Sequence, residues 1–146
     1  MTGSWKTWMR IWCWIVLGLG IGFLGAAFPA TDGFARLFFG VISGFSEQGD
    51  LFAAGAMRFA TAIIGAITIG WALTLLGLVQ AAEKAGAGAW RSFAFALACW
   101  FVVDSAISVA TGFPLNALSN IGLALGFLGP ILASGVLWKP ARFAAA

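Results

Sequence analysis

LFAAGAMRFATAIIGAITIGWALTLLGLV, residues 51–79, is long and apolar enough to cross a bilayer and contains one charged residue, Arg58. A second apolar stretch, ACWFVVDSAISVATGF at residues 98–113, likewise contains one charge, Asp104. An ionised side chain that faces lipid costs several kcal/mol, so each charge should face a polar group inside the protein. The two stretches therefore predict neighbouring membrane-spanning helices that bury their charges between them.

The composition places the whole chain in a membrane. Of its 146 residues, 62% are hydrophobic and 9% are charged, whereas soluble proteins have about 25% charged residues. The mean hydropathy is +0.99. The length allows about four spans of roughly 20 residues with short connections, which predicts a single integral membrane domain over residues 1–146. The net charge of +3 comes from scattered basic residues, and this pattern does not indicate nucleic acid as a partner.

Four apolar stretches predict the spans, at about residues 10–28, 52–79, 92–110 and 118–138. The fold class that they predict is all-α, a polytopic bundle of four transmembrane helices. The first stretch follows Lys6 and Arg10 and ends in small residues, so a cleavable signal peptide is an alternative. Its apolar region of about 18 residues exceeds the 7 to 15 of a signal-peptide core, which favours a retained anchor.

Basic residues are enriched on the cytoplasmic side of membrane proteins, and this bias predicts the orientation. The predicted topology brings six of them to one face: Lys6, Arg10, Lys84, Arg91, Lys139 and Arg142. The same face collects six tryptophans, which settle among lipid headgroups: Trp5, Trp8, Trp12, Trp14, Trp90 and Trp138. Both termini are therefore expected in the cytoplasm.

The connection between the first two spans has the pattern of an amphipathic helix over about residues 34–46. Its apolar residues follow helical spacing, namely Phe34, Leu37, Phe38, Val41, Ile42 and Phe45. A narrow polar strip runs beside them, formed by Arg36, Gly40, Ser43 and Glu47. This pattern predicts a helix that lies in the outer interface. An aromatic loop over the mouth of the bundle and a re-entrant hairpin at the glycines are the alternatives.

Small residues at four-residue spacing predict close helix crossings. Such pairs are Gly18 with Gly22 in the first span and Gly122 with Gly126 in the fourth. Pro130 lies within the fourth span and cannot donate a hydrogen bond to the carbonyl of Gly126, so a kink is expected there.

The polar residues within the spans form the candidate functional site. At 1.5 Å per residue, Arg58 lies roughly 9 Å below the outer end of the second span, and Asp104 reaches a similar depth in the third. We therefore expect the two to form an ion pair. The candidate buried polar cluster or ligand-binding site comprises Arg58, Thr61, Asp104, Ser105, Ser108, Asn116 and Asn120.

Three roles remain open for this cluster. The ion pair could lock two helices in register without any ligand. The additional hydroxyls and amides favour a site for a small polar molecule, a lipid headgroup or a quinone. Asp104 could also couple the movement of protons or ions.

Several chemistries are disfavoured by the composition. The chain contains no His, which excludes an imidazole as metal ligand or general base. Cys13 and Cys99 have no CxxC spacing and are expected to be buried thiols. Trp71 and Trp100 lie at similar depth and are expected to stack on each other. No cofactor or metal site is expected, and a non-enzymatic role is favoured.

Two segments resemble the DoxX-like group of small bacterial membrane proteins: MRFATAIIGAITIGWAL at residues 57–73 and WFVVDSAISVATGFPLNALSNIGL at residues 100–123. The order of spans and the amphipathic outer segment are similar as well. The resemblance implies a four-helix bundle of the bacterial inner membrane, and some proteins of the group are linked to respiratory or redox partners.

The sequence thus predicts an accessory or assembly subunit, or a binder of a small ligand such as a lipid headgroup or quinone. Apart from the lipid bilayer, the expected partners are a larger membrane complex or a second copy of the chain. The alternative function is a small oligomeric proton-coupled transporter that uses Asp104 and Arg58.

Alkaline phosphatase fused after Ala146 should be inactive, because this enzyme folds only outside the cytoplasm and the basic residues predict a cytoplasmic carboxyl terminus. Whole-cell phosphatase activity measures the outcome. A fusion within the loop around Gly112, on the opposite predicted face, is the positive control. Activity of the Ala146 fusion would contradict the predicted orientation.

Overall fold

A computed structural model describes residues 3–45 and 50–138. Its helices are α1 (Gly3–Leu24), α2 (Gly33–Ile42), α3 (Gly55–Ala85), α4 (Ala87–Ala110) and α5 (Pro114–Ala133), and a 3-10 turn at Gly25–Ala27 extends α1. No strand occurs in these two ranges. Four helices, all except α2, are long and apolar enough to cross a membrane. The all-α, four-helix fold expected from the sequence is confirmed, with α2 as the additional shorter helix.

Several helix ends differ from the expected spans. α3 begins at Gly55 rather than at about 52, and it continues to Ala85. α5 ends at Ala133, and turns follow it to Leu137. α3 and α4 are joined by Gly86 alone, whose φ of 86° is readily adopted only by glycine. Lys84 and Arg91 therefore lie within helices, while Lys139 and Arg142 lie outside the described ranges.

The short helix α2 confirms that the connecting segment is helical rather than a loop. Ala35 and Ile42 are buried against the rest of the protein, whereas Leu37 and Val41 are exposed. Its position in a membrane interface stays a prediction. Ser46 and Glu47, the end of the predicted segment and part of its polar strip, lie outside the described residues.

The helices associate as two pairs. α1 packs mainly on α3, and α4 packs mainly on α5, while α3 and α4 touch each other only sparsely although they are consecutive. At the α1–α3 crossing, a Cβ atom on Gly20 would lie 2.9 Å from the backbone nitrogen of Ile69. A Cβ on Gly65 would collide with the backbone of Leu24. Only glycine permits this approach of the two backbones.

In α1 a close crossing was expected at Gly18 and Gly22, but the structure places it at Gly20. A Cβ on Gly18 would meet nothing within 4 Å, and the same holds for Gly122. Gly22 instead makes room for the ring of Phe34, and Gly126 makes room for the ring of Trp12. The four-residue spacing of the glycines indicated that α1 and α5 each make close helix contacts. It did not indicate which helix faces each glycine.

A hydrophobic core fills the end of the bundle where α3 and α4 join, and two tryptophans expected at the lipid headgroups belong to it. Trp12 is 4% exposed and Trp90 is 2% exposed, so the headgroup prediction is wrong for both. Trp71 and Trp100 contact each other with ring centroids 5.7 Å apart, as expected. Cys13 is buried, whereas Cys99 is exposed, which contradicts the prediction that both thiols are buried.

Indole groups of α1 donate hydrogen bonds to carbonyls of α5 within two turns before Pro130. Pro130 lacks the N–H that would bond the carbonyl of Gly126 in a regular helix. The Nε1–H of Trp8 donates to that carbonyl at 2.8 Å. The Nε1–H of Trp12 donates to the carbonyl of Leu123 one turn earlier, at 3.1 Å. A hydrogen bond from the neighbouring helix thus replaces the one that proline removes.

Trp8→Phe should lower the free energy of unfolding by about 1 kcal/mol, because it leaves the Gly126 carbonyl without a donor. In a Pro130→Ala background the loss should be smaller, since the substituted alanine regains an N–H for the same carbonyl. Unfolding in mixed detergent micelles measures both values. Trp14→Phe, at an exposed position of the same helix, is the matched control. Equal losses from Trp8→Phe in the two backgrounds would contradict this account.

Candidate functional site

A cavity of about 860 Å³ separates the α1–α3 pair from the α4–α5 pair. Phe38, Phe39 and Ile42 of α2 line one end of it. Most of its wall is apolar, with aromatic side chains from every helix: Phe23, Phe38, Phe39, Trp71, Phe93, Trp100 and Phe127. The polar side chains on its wall are Thr61, Thr68, Asp104, Asn116, Ser119 and Asn120. The cavity is therefore an apolar chamber whose α4–α5 wall has a group of polar side chains.

Asp104 is the centre of that polar group. Its Oδ1 accepts hydrogen bonds from the side-chain amides of Asn120 at 2.8 Å and Asn116 at 3.0 Å. The hydroxyl of Ser108 lies 3.2 Å from the same oxygen, but it lies closer, at 2.7 Å, to the backbone carbonyl of Asp104. We call Asp104, Ser105, Ser108, Asn116 and Asn120 the carboxylate–amide cluster.

Helical periodicity brings this cluster together. Asp104 and Ser108 are four residues apart near the end of α4, and Asn116 and Asn120 are four residues apart near the start of α5. Residues at this spacing share one face of a helix. The connection between the helices is short, and Pro114 begins α5 at a position where its missing N–H costs nothing. The two polar faces therefore meet.

Arg58 does not belong to this cluster, and the predicted ion pair between Arg58 and Asp104 is wrong. The Nη1 of Arg58 donates to Asp32 Oδ2 at 2.9 Å and to the carbonyl of Ala26 at 3.2 Å. Its Nε donates to the carbonyl of Phe52 at 3.0 Å. All of these partners precede α3 in the chain.

The later start of α3 and its packing explain the change of partner. Because α3 begins at Gly55, Arg58 lies in its first turn rather than two turns deep. There α3 packs on α1 and on the 3-10 turn that contains Ala26, and it contacts α4 only sparsely. The comparable depths of Arg58 and Asp104 were no guide to contact, because their helices diverge around the cavity.

Asp32, Arg36, Asp50 and Arg58 form a second polar group, which we call the outer ionic network. Asp32 Oδ2 lies 2.9 Å from Nη2 of Arg36 as well as from Arg58, and Nη1 of Arg36 lies 2.9 Å from Asp50 Oδ1. The guanidinium carbons of Arg36 and Arg58 stand 5.2 and 5.3 Å from the centre of the Phe52 ring. This distance is typical of a cation–π contact. The network ties α2 to the start of α3.

The network also affects the acids that belong to it. The hydrogen bond from Arg36 holds the pKa of Asp32 below its ordinary value, burial opposes this shift, and Arg58 adds to the lowering. The pKa of Asp50 is lowered mainly by Arg36 and also by the backbone N–H of Phe52. A carboxyl whose pKa is lower in the folded protein stabilises it fully above the unfolded pKa of about 4. That stabilisation is lost as the pH falls through the folded value.

The remaining predicted site residues have these positions. Ser105 lies within reach of Asn120, whose amide is 3.4 Å from the Ser105 hydroxyl. Thr61 is buried on α3 and lines the cavity opposite the carboxylate–amide cluster. Asp32 is the important residue that reasoning from the sequence missed. The four-residue spacing of Asp32 and Arg36 could have indicated that pair, but no sequence signal connects Asp32 to Arg58.

Comparisons with known proteins identify no relative. No family model matches the chain, and neither the curated proteins nor the solved structures contain a match. The similarity to DoxX-like proteins stays a prediction. Within residues 3–45 and 50–138, no group of three His, Cys, Asp or Glu side chains could hold a metal ion.

Arg58→Met and Asp32→Asn should show strong coupling in a double-mutant cycle, because each single change leaves a partner uncompensated. Arg58→Met and Asp104→Asn should be additive within about 0.5 kcal/mol, since the two residues share no partner. Thermal unfolding in detergent at pH 6 measures both cycles. At pH 3 the coupling to Asp32 should be weaker. The pKa of Asp32 is lowered in the folded protein, so the stabilisation that its charge provides declines once the pH falls below the unfolded pKa of about 4. Coupling of Arg58 to Asp104 but not to Asp32 would contradict the assignment of partners.

Proposed function

We propose that this protein binds an amphiphilic small molecule in the cavity between its two helix pairs, in a non-enzymatic role within the bacterial inner membrane. The cavity itself carries the proposal, because it combines an apolar body with a compact polar group. Ligand sites commonly measure about 300 to 1,000 Å³ and have an apolar wall with a few placed polar groups. The present cavity of about 860 Å³ fits this description.

The shape of the cavity favours an amphiphilic occupant. The cavity is only partly enclosed, so in a bilayer its apolar walls are accessible to lipid chains as well as to a ligand. An acyl chain alone satisfies the apolar wall but offers nothing to Asp104, which favours a molecule with a polar head.

The place of the polar group supports a site near the outer side of the membrane. The carboxylate–amide cluster lies at the α4–α5 connection, the same end of the bundle as α2 and the start of α3. The basic residues predict that the opposite end, with Lys6, Lys84 and Arg91, is cytoplasmic. The alternative of a transporter that uses Asp104 and Arg58 as one site is less favoured, because these residues belong to separate groups.

The test is to obstruct the cavity without disturbing its polar group. Gly122 lines the cavity, and a Cβ there would meet nothing within 4 Å. Gly122→Phe should therefore place a ring in the chamber. Gly129→Phe is the matched control, because Gly129 is on the same helix with equally open space but does not line the cavity.

Native mass spectrometry of protein released from mild detergent measures the bound molecule. The wild type and Gly129→Phe should retain one amphiphile per chain, and Gly122→Phe should lose most of it. Equal retention by all three proteins would place the molecule outside the cavity. Absence of a bound amphiphile from the wild type would contradict the proposal.

A further inference from the structure

We infer that the ligand's head is a cationic amine, which donates hydrogen bonds to Asp104. This inference rests on the proposed function and names the chemical class of its ligand. It follows from counting which hydrogen-bonding groups of the carboxylate–amide cluster are already used and which remain for a ligand.

The amide donors of the cluster are already used. The two N–H groups of Asn116 have acceptors in Asp104 Oδ1 at 3.0 Å and the Ser108 hydroxyl at 2.8 Å. Those of Asn120 have acceptors in Asp104 Oδ1 at 2.8 Å and the Ser105 hydroxyl at 3.4 Å. An amide has two donors, so neither side chain has one left for a ligand.

Three hydroxyl groups near the cavity have acceptors within the protein. Ser119 donates to the carbonyl of Asn116 at 2.8 Å, and Thr68 donates to the carbonyl of Ile64 at 2.8 Å. Ser108 donates to the carbonyl of Asp104 at 2.7 Å. The hydroxyl of Thr61 lines the cavity, and that of Ser105 accepts from Asn120. Each of these two can still donate as well as accept, so they do not distinguish between ligands.

Acceptors remain available to a ligand. Within the described chain, Asp104 Oδ2 accepts no hydrogen bond, since all the donors that reach this side chain go to Oδ1. The side-chain oxygen of Asn120 likewise accepts none. Asp104 and Asn120 both line the cavity. A ligand head that only accepts, such as the carbonyls of a quinone, would bring acceptor against acceptor, whereas a head that donates would complete the group.

The charges of the surroundings favour a donor that is also a cation. Arg36 and Arg58 are held by the acids of the outer ionic network, and Lys6 pairs with Glu83 at 2.6 Å. No positive side chain pairs with Asp104 among residues 3–45 and 50–138. A carboxylate in an apolar chamber requires a compensating charge or strong hydrogen bonds. An ammonium head supplies both at the free oxygen.

Trp100, one helical turn before Asp104 on α4, fits the same head. Trp100 and Asp104 together line the large cavity and an adjoining one of about 310 Å³. Trp71 lies against Trp100 and also faces the large cavity. Indole faces attract cations in sites that exclude water. The carboxylate and the indole of Trp100 therefore give an amine both an acceptor and an aromatic wall, which Trp71 extends along the cavity.

The test uses three probes with the same rigid apolar body and different heads: 1-aminoadamantane, 1-adamantanol and 2-adamantanone. The amine is a cationic donor, the alcohol is a neutral donor and acceptor, and the ketone is an acceptor only. Binding to delipidated protein in detergent is measured by the change in tryptophan fluorescence. The proteins compared are the wild type, Asp104→Asn and Gly122→Phe. Asp104→Asn keeps the shape of the side chain and the oxygen that accepts from Asn116 and Asn120, but it removes the charge and replaces the free acceptor by an amide donor.

The amine should bind the wild type at least about tenfold more tightly than the alcohol or the ketone, as a charge-assisted hydrogen bond provides. Asp104→Asn should abolish this preference while the affinity for the alcohol changes by less than about threefold. Gly122→Phe should weaken the binding of all three probes. This pattern would support both the ligand class and the cavity.

Other results separate the two proposals. Equal binding of the three probes, or tighter binding of the ketone, would overturn the cationic head and leave the binding function intact, provided that Gly122→Phe still weakens binding. An amine preference that persists in Asp104→Asn would also overturn the inference. Failure of the wild type to bind any probe would overturn the inference together with the binding function.

Discussion

The close crossing of α1 and α3 at Gly20 and Gly65 is the constraint on which the rest of the structure depends. Because both residues lack a side chain, the two backbones come close enough that a Cβ on either residue would clash, and α3 is held against α1 rather than α4. α4 then finds its partner in α5, to which the carboxylate–amide cluster joins it. The cavity is the space left between two well-packed pairs, and its walls are the helix faces that the crossing keeps apart.

The two polar groups show how a membrane protein satisfies its charges locally. Each unsatisfied polar group in lipid is expensive, so Arg58 and Asp104 are each bonded by groups that lie at the ends of neighbouring elements. Arg58 turns back toward Asp32 and two carbonyls that precede α3. Asp104 is bonded by amides from the start of α5. In the outer network each acid is paired with an arginine, whereas Asp104 lines the cavity with amide partners and a free acceptor, and this difference makes the second group the candidate for ligand binding.

The tryptophans show that the type of a residue predicts its position in a membrane protein less well than its contacts with neighbouring helices do. Its amphipathic ring suits the headgroup layer, and Trp138 is exposed at one end of the bundle as that preference predicts. Trp8 and Trp12 instead use their N–H groups on the carbonyls of α5 around Pro130. The proline was evident in the sequence as a missing donor, but the helix that would replace the donor was not. The identity of that helix depends on which face of α1 lies toward α5 once α1 crosses α3 at Gly20 and Gly65.

The sequence by itself determined the class and the elements of this protein: four long apolar helices, a fifth short helix between the first two, and the polar faces of α4 and α5 that meet at Asp104. These follow from hydropathy and from the 3.6-residue period, which are local properties. Only the tertiary structure decided that Arg58 pairs with Asp32 and that a cavity separates α3 from α4. The physical reason is that pairing depends on how the helices cross and diverge, so two charges at equal depth meet only if backbone contacts elsewhere bring their helices together.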